Sequence, residues 1–348
     1  MKNKKVLVTG GLGFIGSHTV VALQQQGVEV VIIDNLSNSS IDVLGGITEI
    51  TGQTPEFENI DLRDKSAVKI FFEKYPEIDS VIHFAASKAV GESVEKPLLY
   101  YENNISSLIY LLQELQKKEH SHFIFSSSCT VYGQADELPI TENAPVKKAE
   151  SPYGNTKQIG EEIIQDTCKV NSNMKAISLR YFNPIGAHAS AEIGELPLGT
   201  PQNLVPFITQ TAIGKREKLS VFGNDYPTED GTAIRDYIHV VDIAEAHVTA
   251  LQRLMNGKEK SNYEVFNLGT GKGNSVLEVI QSFEKSTGEK LPYEISPRRH
   301  GDVTAAYADT EKANKELGWK ASRSLDEALK SAWVWQKVVQ KKEREEEQ

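Results

Sequence analysis

The sequence predicts an α/β fold: a doubly wound parallel sheet with a smaller C-terminal α/β region. Three observations carry this. Short apolar, β-branched runs alternate with helical stretches through residues 5–181. Several of those runs place apolar residues at successive positions, as strands covered on both faces by helices do. After Asn183 the rhythm gives way to PIGAHASAEIGELPLGTPQN and FGNDYPTEDGT, rich in Gly, Pro and Asn, which read as loops and short elements. The expected boundary separates 1–182 from 183–348, with part of 236–268 returning to the first domain.

The elements follow in order. Lys5 to Thr9 (KVLVT) is the first expected strand and Phe14 to Gln26 the first helix. Val28 to Ile33 forms a second strand, ending at Asp34, and Phe57 to Ile60 a third. Asp64 caps a helix reaching Tyr75, with Val68, Phe71, Phe72 and Tyr75 on one side. Ser80 to Ala86 is a fourth strand, Pro97 to Glu119 one long helix, and His122 to Ser126 a fifth strand. Ser151 as N-cap and Pro152 at the first position open another helix, before a sixth strand over Met174 to Tyr181. Asp242 to Leu254 is expected to be a helix with a capping box of Asp242 and Glu245.

Composition excludes several classes. With 39% apolar and 25% charged residues among 348, the chain can build a sizeable core. No apolar run approaches membrane-spanning length, and MKNKK carries no secretory signal. Two cysteines, Cys129 and Cys168, make no disulfide or metal framework, so a cytoplasmic location is expected. A net charge of −10 opposes broad nucleic-acid binding but not a small anion held by local arginines. The tail KKEREEEQ is a charge run expected to fray from the last helix.

TGGLGFIG, Thr9 to Gly16, spaces its glycines at Gly10, Gly13 and Gly16, a departure from strict G-x-G-x-x-G. The physical needs are the same: a tight turn, close approach of backbone to a pyrophosphate, and helix packed tightly on strand. The following helix start offers free N–H groups and a positive dipole end. Asp34 stands where it can accept hydrogen bonds from an adenosine ribose, and its charge repels a 2′-phosphate. A Rossmann-type domain holding NAD rather than NADP is therefore expected. The plainer alternative is that Asp34 only caps the turn DNLSNSS.

SPYGNTKQ places Tyr153 and Lys157 four residues apart, on one helical face. Such a pair also arises by chance. Its weight comes from HFIFSSSCTVYG about twenty residues earlier, where three serines leave the carboxyl end of a strand, the ligand edge of open α/β sheets. A phenol as base at pH 7 costs roughly 4 kcal/mol. A neighbouring ammonium and a cationic nicotinamide would lower that cost, and Lys157 can bond the nicotinamide ribose. A serine hydroxyl could hold a carbinol in line.

These motifs resemble the extended short-chain dehydrogenase/reductase family, with T-G-x-x-G-x-x-G and Y-x-x-x-K. Within it the sequence is similar over nearly its full length to the UDP-glucose (UDP-galactose) 4-epimerases. The matching stretches include GFIGSHT, VIHFAASKAVGESVEKPLLYY, LRYFNPIGAH, VFGNDYPTEDGTAIRDYIHVVD and PRRHGDV. The resemblance implies Tyr153 as general base and acid, Lys157 as its pKa partner and Ser128 as the hydroxyl aiding proton transfer. It implies a tightly bound NAD at Gly10, Gly13, Phe14, Ile15, Gly16, Asp34, Asn35, Leu36, Ser37, Asn38, Ser39, Asp61, Leu62, Phe84, Ala85, Ala86, Ser87, Lys88, Asn103, Ser128, Tyr153, Lys157 and Phe182. It places the UDP-sugar against Lys88, Ser128, Tyr153, Asn183, Asn203, Leu204, Val221, Phe222, Arg235, Arg299, Asp302 and Ala306. Arg235 and Arg299 suit a diphosphate, since guanidinium groups bind phosphate oxygens bidentately; surface salt bridging is the alternative. No metal is implied. The resemblance also implies a homodimer through helices, here Pro97 to Glu119 and Tyr153 to Val170.

Ala306 departs from the bulky tyrosine found in members restricted to glucose and galactose, so UDP-GlcNAc and UDP-GalNAc are expected as further substrates. Related dehydratases and decarboxylases carry an acid where this chain has Cys129 and Thr130, which ranks that alternative lower. A non-catalytic NAD-sensing module need not keep the Tyr–Lys pair and ranks lower still.

Overall fold

Seven parallel strands make the central sheet of this computed structural model, which describes residues 4–299 and 302–346. Met1–Asn3, His300–Gly301 within PRRHGDV, and the last two residues of KKEREEEQ lie outside the described residues. The first six strands are β1 (Lys5–Thr9), β2 (Glu29–Asp34), β3 (Glu56–Asn59), β4 (Ser80–His83), β5 (Ser121–Ser126) and β6 (Met174–Tyr181). Outside this sheet lie β7 (Asn183–Ile185), β8 (Leu219–Phe222), β9 (Ile234–Arg235) and β10 (Tyr237–His239). The next strand, β11 (Tyr263–Leu268), returns to the central sheet and pairs with β6. Then come β12 (Asn274–Ser275), β13 (Tyr293–Ser296) and β14 (Ala305–Ala306).

The sheet order β11-β6-β5-β4-β1-β2-β3 reverses direction between β1 and β4. That reversal is the switch point at which doubly wound sheets bind ligands. Side chains of β1 divide by strand alternation: Val6 and Val8 enter one core with Val20, Leu23 and Ile243, while Leu7 enters the opposite core with Phe71, Leu111 and Ile164. Both faces are covered, which is why apolar residues occupy successive positions in β1, β2 and β4.

The helices are α1 (Phe14–Gln25), α2 (Val43–Thr51), α3 (Lys65–Lys74), α4 (Val90–Glu95), α5 (Pro97–Tyr101), α6 (Ser107–Leu115), α7 (Pro152–Val170), α8 (Leu204–Ala212), α9 (Val240–Met255), α10 (Val276–Thr287) and α11 (Leu325–Glu346). A third core, centred on Val205, Ile208, Val279, Phe283, Leu329 and Trp333, joins α8, α10 and α11 away from the central sheet.

Four expectations are corrected. The stretch Pro97 to Glu119 is not one helix: a π-helical turn, Glu102–Ser106, separates α5 from α6, which ends at Leu115. There the side chains of Asn103 and Asn104, consecutive residues, both reach toward Ser87. The fourth strand stops at His83, because the Ala85 N–H turns to the Thr9 hydroxyl and Ser87 to Asn104. The helix near Asp242 starts at Val240 and is capped by the His239 ring, which accepts from Val241 N–H. Asp242 instead receives Ser322 and Arg323. The charged tail stays helical to Glu346, with Lys215 reaching Glu343 and Lys341 lying 3.7 Å from Glu345.

The start of α7 is as the sequence implies: the Ser151 hydroxyl accepts from Gly154 N–H at 3.1 Å, and Pro152 needs no partner. Ser151→Ala is expected to lower unfolding free energy by about 1 kcal/mol. Urea denaturation with an unchanged midpoint would contradict this.

Candidate active site

The glycine loop is shaped by contacts that a side chain would prevent. Gly10 has φ +65°, and a Cβ there would lie 2.8 Å from Ala85 N. A Cβ on Gly16 would lie 2.1 Å from the Gly10 carbonyl oxygen, closing the packing of α1 on the loop. The Ser17 N–H to Gly13 carbonyl bond, 2.9 Å, is the first of the helix, and Gly13 offers no side-chain cap. The N–H groups before Ser17, those of Phe14 and Ile15, are thus the free donors of a helix start. They fit a pyrophosphate.

Asp34, buried at the end of β2, does two jobs. Its Oδ1 accepts from Leu36 N–H and the Ser39 hydroxyl, and its Oδ2 from Leu12 N–H at 3.2 Å. It therefore orders the turn through Asn35–Ser39, in which Leu36 has φ +58°, and ties that turn to the glycine loop. Oδ2 keeps acceptor capacity for a ribose hydroxyl. Asp61, at the end of β3, is gripped by Arg63 through two guanidinium nitrogens, which with the Arg63 N–H and Asn35 holds its carboxyl below the usual range. Leu62 is core, with Val68 and Phe71.

Beyond β4, the Phe84 ring packs at a tilt against His247, with centroids 4.7 Å apart. In the following stretch, Ala85 to Lys88, two asparagines hold Ser87, while the Ala85 N–H bonds the Thr9 hydroxyl. Asn103 donates to the Ser87 hydroxyl at 3.1 Å. Asn104 accepts from the Ser87 N–H, donates to its carbonyl, and reaches Thr156 on α7 at 3.0 Å. Asn104 was not among the residues named from sequence, although a second asparagine within a helix, where asparagine is a poor former, is a readable signal.

Tyr153 and Lys157 project from α7 toward the end of β5, both buried. The Lys157 ammonium donates to the Ser126 carbonyl at 2.8 Å and lies 4.9 Å from the Phe125 ring and 5.9 Å from the Tyr153 ring. Ser128 caps the short turn Cys129–Tyr132, accepting from Thr130 N–H, and its hydroxyl bond favours the Tyr153 phenolate. Here the expected balance is corrected. Burial pushes Tyr153 well above its ordinary value, and Lys157 does not offset it. Burial likewise lowers Lys157 to about 8. The cause is desolvation of both buried groups, with the ammonium directed to the Ser126 carbonyl and 5.9 Å from the Tyr153 ring.

The C-terminal residues form a second group. Asp302 faces both arginines: Arg235 at 3.4 Å and Arg299 at 3.2 Å. Arg235 also donates to the Ile234 and Val303 carbonyls, and Arg299 lies 4.9 Å from the Phe222 ring, next to Val221 on β8. Ala306 pairs with Arg235 and packs on the cluster of Val131, Tyr132, Ile140, Phe182 and Ala308. Asn183 on β7 pairs with Tyr237. The Cys129 thiol, pushed up to about 12 by burial, feels the charges of Arg235 and Asp236, so the serine turn borders this group.

A carboxylate unnamed by the sequence reading, Glu195, joins the two groups. It accepts from Asn203, which precedes Leu204 at the start of α8, at 2.7 Å, and lies 3.7 Å from Lys88.

The chain is similar to known proteins over nearly its full length. The family model described as GDP-mannose 4,6 dehydratase matches residues 7–332. The UDP-glucose 4-epimerase of Erwinia amylovora is 50% identical over 331 residues, 95% of this chain and 97% of its own. The crystal structure of UDP-glucose 4-epimerase from Stenotrophomonas maltophila, with bound NAD and formylated UDP-arabinopyranose, has a TM-score of 0.93 and 48% identity, covering 97% of this chain and 99% of that one. The Bifidobacterium longum UDP-glucose 4-epimerase, in complex with NAD+ and UDP, gives 0.90 and 46%, covering 96% and 98%. The chain belongs to the UDP-glucose 4-epimerase family, within the broader group that the dehydratase model describes.

Proposed function

We propose that this chain interconverts UDP-glucose and UDP-galactose through a transient 4-keto sugar, using tightly bound NAD, and also interconverts UDP-GlcNAc and UDP-GalNAc. The observation that carries this is the meeting of Tyr153, Lys157 and the Ser126–Ser128 strand end in one buried site at the switch-point edge of the sheet.

When bound, NAD supplies the hydride acceptor and donor for the sugar C4. Phe14, Ile15 and Asp34, with the loops through Ser39, Asp61 and Lys88, hold it. Tyr153 takes the proton of the 4-hydroxyl and returns it when C4 is reduced from its other face. Lys157, near 8, remains largely an ammonium at pH 7 and can bond the cofactor's ribose, while the Ser128 hydroxyl is the group that favours the phenolate against the burial that opposes it. Ser128 keeps the hydroxyl in line. Arg235 and Arg299, spread by Asp302, hold the diphosphate bidentately while the keto sugar turns. Binding energy placed on the UDP end tolerates two sugar orientations.

The dehydratase alternative needs an acid beside Ser128 to eliminate water. Cys129 and Thr130 stand there, and a thiol pushed up to about 12 is a poor substitute. The broader substrate range is supported by Ala306, a single methyl on the cluster of Phe182 and Ala308 where a phenol would be far bulkier.

Exposed Leu98 on α5, with Val90 and Val94 on α4, supports a homodimer through these helices and α7. Free Cys129 and Cys168 suit the cytoplasm, which cell fractionation would check.

Three outcomes are expected. Tyr153→Phe lowers turnover of UDP-galactose about 10²–10⁴-fold with NAD content unchanged; intact turnover rejects the assignment. Purified protein converts UDP-GalNAc, and Ala306→Tyr costs that substrate about tenfold or more relative to UDP-galactose. No detectable UDP-GlcNAc formation by the unaltered protein sinks the broader range. Sedimentation velocity gives a dimer mass, and a monomer at every concentration rejects the dimer.

A further inference from the structure

Behind the Tyr153–Lys157 pair lies a buried ion pair that the reaction as derived above does not use. Glu161 follows Lys157 by four residues and Tyr153 by eight, so it continues the same face of α7 inward. Its Oε1 accepts from the Ser127 hydroxyl at 2.6 Å and from Arg180 Nε at 2.9 Å, and its Oε2 accepts from Arg180 Nη2. Ser127 is fully buried, and Glu161 and Arg180 nearly so. Arg180 rises from β6 and stacks 4.8 Å from the Tyr132 ring, in the turn that begins at Ser128. One carboxylate therefore ties together α7, which carries the phenol and the amine; the end of β5, whose Ser126 carbonyl receives the amine; and, through Arg180, the turn that presents Ser128.

A buried ion pair of this kind is poor evidence for added stability, because removing two charges from water offsets most of their attraction. Placement is the better explanation. We propose that Glu161 is a positioning residue for the epimerase reaction: it locks the Ser126–Ser128 strand end to α7 and supplies the negative charge that faces Lys157 from one turn away. This rests on the function proposed above.

The surroundings of Lys157 make this charge consequential. On α7 it faces the Tyr153 phenol and Glu161. On β4 it faces His83, held neutral by burial and sharing a hydrogen bond with Thr9 at 2.7 Å. On β5 it meets the Ser126 carbonyl and the Phe125 ring, which carry no charge. On β6 the neighbouring groups are Arg180, paired to Glu161, and Tyr181, which shares a hydrogen bond with Ser126. Glu161 is thus the carboxylate that opposes the effect of burial on the amine. Without it, the ammonium would lose its proton at lower pH, and Arg180 would be left as an uncompensated positive charge acting in the same direction.

The test is the pH dependence of kcat for holoenzyme with UDP-galactose, comparing the unaltered protein with Glu161→Gln and Glu161→Asp. NAD content and melting temperature are measured on each. For Glu161→Gln the expected result is a fall in kcat of about tenfold or more, a change in KM of under about threefold, and displacement of the alkaline limb to lower pH by about one unit. Glu161→Asp restores the limb most of the way. A folded, NAD-loaded Glu161→Gln protein whose limb coincides with that of the unaltered protein overturns the proposal, because a merely structural loss scales the profile without moving it. Should Glu161→Gln not accumulate as holoenzyme, Glu161→Asp carries the test: its withdrawn carboxylate should move the limb the same way by a smaller amount, and an unmoved limb overturns the proposal. If the unaltered protein does not turn over UDP-galactose, the function itself has failed rather than the role of Glu161.

Discussion

The site depends on the burial of an ionisable pair, Tyr153 and Lys157, at the carboxyl edge of β5. Desolvation acts on the two groups in opposite senses. It pushes the phenol up, away from serving as a base, and the amine down to about 8, toward losing its charge. Both shifts oppose the chemistry proposed for the pair. What makes the pair usable is the set of fixed groups around it: the Ser126 carbonyl that holds the ammonium, the Ser128 hydroxyl that favours the phenolate, and Glu161 behind both. Burial also strengthens each of these interactions, so small displacements matter.

The fold supplies that rigidity through a few polar ties. Parallel strand ends all emerge on one edge, so Gly10, Asp34, His83 and Ser126 begin their loops side by side. Asn104 then joins the loop after β4 to α7, Asp34 joins the loop after β2 to the glycine loop, and Glu161 joins α7 to the ends of β5 and β6. Several of the residues proposed for the UDP-sugar, Leu204 and Val221 among them, belong to a region with a separate core, and Glu195 lies 3.7 Å from Lys88 in the loop after β4.

Much of this was legible in the sequence, for identifiable reasons. Strands such as KVLVT and MKAISLRY are apolar runs bounded by glycine or asparagine, and they form where expected. Ser151 and Pro152 mark the start of α7 by local chemistry alone. The π turn at Glu102–Ser106 was not legible, because its cause is the non-local demand that Asn103 and Asn104 both reach Ser87. Asp242 looked like a capping residue, yet a distant partner, Arg323, claimed it. Glu161 carried no readable signal, since nothing near it in sequence announces Arg180 or Ser127. The direction of the Tyr153 shift was misread for the same reason: spacing gives proximity, whereas burial is a property of the assembled site.

The central claim is that a buried phenol shuttles a proton while the hydride removed from C4 returns to the same sugar. The most direct measurement is conversion of UDP-galactose by purified protein in deuterated water, with the product examined at C4 by NMR. The account predicts UDP-glucose that carries no solvent deuterium at C4. Deuterium at C4 would mean that the hydrogen had exchanged with water as a proton, and would contradict it.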